Sequence, residues 1–297
     1  METVTFPLRL AGGRSLEVTV SGPDGSTPLV FHHGTPSGGQ QYAPFAEGAV
    51  ARGLRLVTYS RPGYGGSSRQ PDRGVAGCAA DTAAILDHLG DGRCYVGGAS
   101  GGGPHALACA ALLPDRVLAC ATIAGVAPFG AGGLDFLEGM AQENHEEFGA
   151  ALAGPAELQA FLERAAEAFA GITGEQVAEA LGGLVSEVDR AALTGDFAEY
   201  LAASLRKVLS DGIWGWFDDD VAFTRSWGFE LDAIRVPVTT WQGGQDRIVP
   251  STHSEWLAAH VPGAKAALLP EKGHLSIAVA KFGEVLNGLL ESAPRRG

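Results

Sequence analysis

Cysteine is scarce in this chain: four among 297 residues, Cys78, Cys94, Cys109 and Cys120. Their spacing matches no metal ribbon or finger. They read as free core thiols in a reducing compartment, so a cytoplasmic protein is expected. Positive charge is also short, with 21 Lys and Arg against 34 Asp and Glu and a net charge of −13. That balance excludes nucleic acid and acidic membranes as partners. No stretch reaches the roughly 18 uninterrupted apolar residues of a membrane span. Residues 1–10 contain Glu2 and no long apolar run, and do not read as a signal peptide. What remains is a hydrophobic fraction of 45%, which indicates a globular chain with a large core. The length fits one α/β domain carrying an insertion.

The acidity is unevenly placed. Residues 129–225 hold 18 Asp and Glu but 5 Lys and Arg, whereas the rest holds 16 of each. One contiguous segment carries the whole imbalance and is expected to be a separate structural unit.

Hydrophobic patterning places strands over 3–10, 15–21, 28–33, 54–59, 93–97, 117–124, 236–241 and 264–269. Pro7 marks the first as an edge strand. Helical spacing fits 41–52, 76–89, 102–113, 251–260 and 275–292. This alternation implies βαβ units and a mainly parallel sheet. Between about 128 and 225 it gives way to Ala-, Glu- and Leu-rich helical sequence, for instance 156–169 and 197–209. The chain therefore divides into an α/β core, 1–128 and 226–297, and a helical insertion, 129–225.

Gly98-Ala99-Ser100-Gly101-Gly102 passes from strand to helix within a few residues. A sharp turn there strains the serine backbone and pushes its hydroxyl outward, and Gly98 and Gly102 let strand and helix approach. The hydroxyl then stands near a helix N-terminus, which favours developing negative charge. A phosphate-binding loop is excluded, because the Lys-Ser/Thr ending is missing.

A serine needs a base. Of eight histidines, His274 follows the last strand in Pro270-Glu271-Lys272-Gly273-His274, at the same sheet edge. His105 and His32 read as structural, and His88, His145, His253 and His260 as helix-surface residues. His145-Glu146-Glu147 lacks the second histidine of a zinc helix, and no metal site is expected. The acid that orients the histidine is Asp246, which follows the preceding strand. An oxyanion hole is expected from the N–H groups of Gly101 and Thr35, the latter in His33-Gly34-Thr35-Pro36. His33 reads as a loop brace, and with Gly34 as part of the substrate pocket.

These motifs, with Arg61-Pro62-Gly63-Tyr64-Gly65-Gly66-Ser67 and Asp246-Arg247-Ile248-Val249-Pro250, resemble the α/β-hydrolase superfamily over nearly the whole chain. The resemblance implies an α/β-hydrolase fold with a helical cap, and two-step acyl transfer without metal or organic cofactor. Serine at position 100 argues against the haloalkane dehalogenase and epoxide hydrolase branches. Ser60 stands where many relatives carry Asp, which puts a loop-bracing interaction in question. Gly101 stands where relatives usually carry a larger residue, and is expected to widen the acyl pocket.

By the same resemblance the insertion is a lid. Ile213-Trp214-Gly215-Trp216-Phe217 either lines the pocket, through Trp214 and Trp216, or anchors the lid on the core. Asp218-Asp219-Asp220 is either a solvated or helix-capping run or a site for a cationic substrate group. Three functions stay open. One is a hydrolase for small or medium carboxylic esters. Another is an aminopeptidase or amidase of proline iminopeptidase type. The last is a non-catalytic ligand-binding protein. The triad also admits a cofactor-free perhydrolase side activity. A small-molecule ester or amide is the expected partner, with the chain a monomer or homodimer.

Overall fold

The computed structural model describes residues 2–293; Met1 and residues 294–297 of the expected C-terminal core segment lie outside them. Eight strands form one sheet: β1 (Thr3–Arg9), β2 (Ser15–Ser21), β3 (Thr27–His32), β4 (Leu54–Tyr59), β5 (Cys94–Ala99), β6 (Val117–Ile123), β7 (Val238–Gly243) and β8 (Lys265–Leu269). Their order is β1-β2-β4-β3-β5-β6-β7-β8. The pairings β1–β2 and β2–β4 are antiparallel, and all others are parallel.

The fold class expected from the strand and helix alternation is the one observed. Pro7 lies in β1, an edge strand that pairs with β2 alone. Every residue of β4 is buried, as coverage of an inner strand on both faces requires. Alternation then sorts side chains between two apolar layers: Val30, Val57 and Val96 face one, and Leu29, Leu56 and Tyr95 the other. Boundaries differ by two residues at β5, which runs on to Ala99 rather than ending at 97, and at β7, which begins at Val238 rather than at 236. Pro237 has no N–H to give the ladder, although its carbonyl accepts from Cys120 N.

Helices α1 (Ala43–Val50), α2 (Gly77–Leu89) and α3 (Gly102–Leu112) follow β3, β4 and β5. Between β6 and β7 lie α4 (Gln142–Ala153), α5 (Pro155–Phe169), α6 (Val177–Ala180), α7 (Glu187–Ala192), α8 (Gly195–Leu209) and α9 (Trp214–Phe223). They share an apolar cluster that includes Leu158, Leu162, Phe197, Leu205 and Trp216, joined by Tyr64 from the loop after β4. Helices α10 (Ser251–His260) and α11 (His274–Ser292) complete the chain. The four cysteines are free and buried. Among the described residues no helix is long and apolar enough to cross a membrane.

The loops after β3, β5, β7 and β8 all leave the C-terminal edge of parallel strands. Side chains far apart in sequence therefore meet there.

Candidate active site

Ser100 sits between β5 and α3 with φ +53°, a left-handed conformation that a non-glycine residue holds only when its surroundings impose it. Here they do. Ser100 N donates to Ile123 O at 2.8 Å, and Gly103 N donates to Ser100 O at 2.9 Å. A Cβ on Gly98 would lie 2.1 Å from Gly102 O, and one on Gly102 would lie 2.1 Å from His32 O. The close crossing of strand and helix thus needs glycine on both sides. Ser100 Oγ makes no hydrogen bond among the described residues and faces a cavity of about 280 Å³.

His274 lines the same cavity. Its Nδ1 lies 2.8 Å from Asp246 Oδ2. Asp246 is fully committed: Oδ1 accepts from Ile248 N at 2.9 Å and Val249 N at 2.8 Å, and Oδ2 also accepts from Gln242 Nε2 at 2.8 Å. A carboxylate can only accept, so the imidazole proton resides on Nδ1 and Nε2 keeps its lone pair. Burial pushes the imidazole pKa down, but the charge and hydrogen bond of Asp246, with Asp189 behind them, hold it above its usual value.

The loop His33-Gly34-Thr35 faces Ser100 across the cavity. Neither Thr35 N–H nor Gly101 N–H donates to another described residue. His33 Nδ1 donates to Gly34 O at 2.7 Å, and its Nε2 accepts from Arg61 N at 3.1 Å. Burial and the Arg61 charge push its pKa well down, so it stays neutral. Arg61 then fastens the loop from below, donating to the carbonyls of His33 and Gly34 and to Thr35 Oγ1.

Asp219 of α9 is the hub of this arrangement. It accepts from Thr35 Oγ1 (2.6 Å), Arg61 Nη2 (2.6 Å), Arg73 Nη2 (2.6 Å) and Tyr64 OH (2.9 Å). Burial would raise its pKa, but Arg61 and Arg73 outweigh that and hold the carboxyl well below the usual range. The acidic run is therefore neither solvated nor a helix cap. Asp218, Asp219 and Asp220 are 3%, 0% and 1% exposed. Asp218 pairs with Arg69 through two 2.9 Å bonds. Asp220 lines the cavity opposite Glu147, within reach of its carboxyl. Burial, Glu147 and Asp219 push the Asp220 pKa well up. No Lys or Arg lines that cavity among the described residues.

Three further expectations need correction. Gly101 does not widen the pocket, because the space a side chain would use is filled: its Cβ would meet Thr35 Oγ1 at 2.5 Å and Phe223 Cζ at 2.9 Å. Trp216 lines the cavity and donates to Glu147 Oε1 at 2.6 Å, but Trp214 does not reach it. Trp214 lies instead under the Arg69 guanidinium, 4.0 Å from the ring centre. His253 is no surface residue: it is fully buried and bridges Ala127 N and Phe136 O. Ser60 braces its surroundings through its hydroxyl. Its hydroxyl accepts from Gly39 N at 3.0 Å and donates to Glu17 Oε1 at 3.2 Å.

Sequence reasoning passed over Asp189 and the Arg61–Asp219–Arg73 cluster. The signal for the cluster is an arginine-rich Gly loop plus an acidic triplet on an aromatic helix. Nothing local signals that Asp189 reaches the start of α11, because the N–H groups it accepts from there lie 85 to 87 residues away.

The α/β-hydrolase fold family model matches residues 27–280. An uncharacterized hydrolase of Bacillus subtilis is 34% identical over 118 residues, 39% of this chain and 38% of that protein. The dihydrolipoyllysine-residue acetyltransferase component of an acetoin cleaving system from Pseudomonas putida is 28% identical over 89% of this chain. The chain spans 63% of that relative's length, so both curated relatives are matched over less than two thirds of their own length. A solved esterase from Thermogutta terrifontis superposes with a TM-score of 0.68 at 20% identity, covering 98% of this chain and 97% of its own. The family match spans most of the sheet and the loops at its C-terminal edge: this chain belongs to the α/β-hydrolase fold family.

Proposed function

We propose that this hydrolase cleaves small or medium carboxylic esters through a covalent acyl-enzyme on Ser100. In this reading Ser100 Oγ attacks the ester carbonyl while His274 Nε2 takes its proton. Asp246 keeps the imidazole in the tautomer that frees Nε2 and stabilises the imidazolium. The N–H groups of Gly101 and Thr35 receive the oxyanion; one such donor is worth ~3 kcal/mol in comparable sites. The alcohol leaves with the proton from His274. Water then repeats the sequence with the same base and releases the acid. The insertion 129–225 acts as the cap, its residues Trp216, Glu147 and Asp220 forming one wall.

The observation that carries this reading is the 2.8 Å contact of His274 Nδ1 with Asp246, on a histidine that shares its cavity with the strained Ser100. The Ser100 hydroxyl is left free by the described residues, and catalytic hydrogen bonds of this kind often tighten only when substrate binds. A second reading, amide hydrolysis next to a substrate amine, is favoured by one feature. The cavity wall carries two carboxyl side chains, Glu147 and Asp220, and no Lys or Arg among the described residues. A panel of aryl esters, proline arylamides and lactones on wild type and Ser100→Ala separates the two. The ester reading expects short-chain aryl esters to be turned over fastest and the variant to be inactive. Faster turnover of a proline arylamide favours the amide reading. Full activity of the variant contradicts both.

A further inference from the structure

Helix α11 starts at His274 itself and runs for 19 residues. The start of a long helix carries about half a positive charge and leaves its first N–H groups without intrahelical partners. Both features oppose an imidazolium at that position. Gly273 has no side chain to cap the helix, and its own N–H is taken by Ser276 Oγ at 2.8 Å.

The missing acceptor comes from α7 in the helical insertion. Asp189 Oδ2 accepts from His274 N at 2.9 Å, and Oδ1 accepts from Leu275 N at 3.0 Å and Ser276 N at 2.8 Å. Ser186 Oγ donates to Oδ2 at 3.0 Å. Asp189 is fully buried and forms no ion pair with any described Lys or Arg. Its contacts are thus the helix start and one hydroxyl. The fit is close: a Cβ on Gly273 would lie 2.3 Å from Asp189 Oδ2.

We propose that Asp189 is a positioning residue for His274, capping the first turn of α11 from the insertion and offsetting its positive end where the imidazole gains a proton. The proposal rests on His274 being the base. Asp246 fixes the ring through Nδ1, and Asp189 fixes the backbone that carries it. The charged groups facing His274 are Asp246, from the loop after β7, and Asp189, from α7. Burial draws the imidazole pKa down, and these two carboxylates together carry it above its ordinary value. Movement of α7 away from α11 would therefore weaken the base as well as expose it.

The test compares wild type with Asp189→Asn. The amide oxygen can still accept from Leu275 N and Ser276 N, so most of the cap survives while the charge is lost. His274 is followed by NMR titration of ¹³C-labelled imidazoles, assigned by the signal missing in His274→Gln. The expected result is titration about one pH unit lower in Asp189→Asn. The acid limb of kcat/KM for p-nitrophenyl acetate should move the same way. At the plateau kcat should fall by up to about tenfold with KM within twofold. Should Asp189→Asn not fold, Asp189→Ser serves, since its hydroxyl and a water can meet the three N–H groups. A folded variant whose His274 titrates at the wild-type pH overturns the proposal. If wild type hydrolyses no ester and Ser100 stays unlabelled by a fluorophosphonate, the functional reading fails, yet the titration still decides the role of Asp189.

Discussion

Thr35 Oγ1 donates a 2.6 Å hydrogen bond to Asp219 Oδ2, tying the loop after β3 to helix α9. The bond predicts a graded pair of variants. Thr35→Val keeps the shape and the backbone N–H but removes the donor, and Asp219 retains both arginines and Tyr64. A loss of about 1–2 kcal/mol in urea unfolding is expected. In the proposed reaction kcat should fall more than KM rises, because the displaced N–H acts on the transition state. Asp219→Asn removes the charge that balances buried Arg61 and Arg73, and should cost about 3–5 kcal/mol. An Asp219→Asn protein as stable as wild type would refute the hub.

Gly101→Ala addresses the space between Thr35 and Phe223. The added methyl meets both at under 3 Å, so the Thr35 loop or the Phe223 ring must shift. In the proposed reaction that loop supplies an oxyanion donor, whose loss typically costs ~3 kcal/mol of transition-state stabilisation, and a fall in kcat of tenfold or more is expected. Phe223→Leu added to Gly101→Ala should restore part of it. Unchanged kcat in the single variant would mean that the space is not needed.

Much of this architecture was legible in the sequence, and the reason is local. The turn around Ser100, the glycines beside it and the strand-to-helix order are consequences of short-range geometry. The same holds for Pro7 on an edge strand. Features that depended on distant partners were not legible. Asp218-Asp219-Asp220 looks solvated until Arg61, Arg69 and Arg73 arrive from another part of the chain. Gly101 looks like open space until Thr35 and Phe223 fill it. His253 shows helix-surface spacing, yet Ala127 and Phe136 enclose it.

Glu147 and Asp220 predict a charge preference at the cavity. Burial raises both carboxyl pKa values, and the charge of Glu147 raises that of Asp220 further. The pair still leaves the wall without a cation. An ester with an anionic acyl chain, such as a hemisuccinate, should have kcat/KM at least about tenfold below that of the uncharged pentanoate, a difference of ~1.4 kcal/mol. Glu147→Gln, which removes the more readily ionised carboxyl of the pair, should narrow the gap. Equal rates for the two esters would show that the pair does not meet the acyl group.

His253 predicts the pH dependence of stability. Burial lowers its pKa to about 4, below the unfolded value near 6.5. Its contribution is therefore fully present above pH 6.5 and is lost as pH falls towards 4, on the order of 3 kcal/mol in all. Burial shifts His33 and His105 in the same direction. Urea unfolding at pH 7.5 and 4.5 should show a clear loss in wild type and a smaller one in His253→Gln. A wild type equally stable at both pH values would contradict the buried neutral state.

The most direct measurement is intact-mass and peptide analysis after treatment of the native protein with a fluorophosphonate. One adduct is expected, on Ser100, formed much more slowly in His274→Gln and absent in Ser100→Ala. A protein that hydrolyses esters yet carries no adduct, or carries it on another residue, would contradict the assignment of Ser100 as nucleophile.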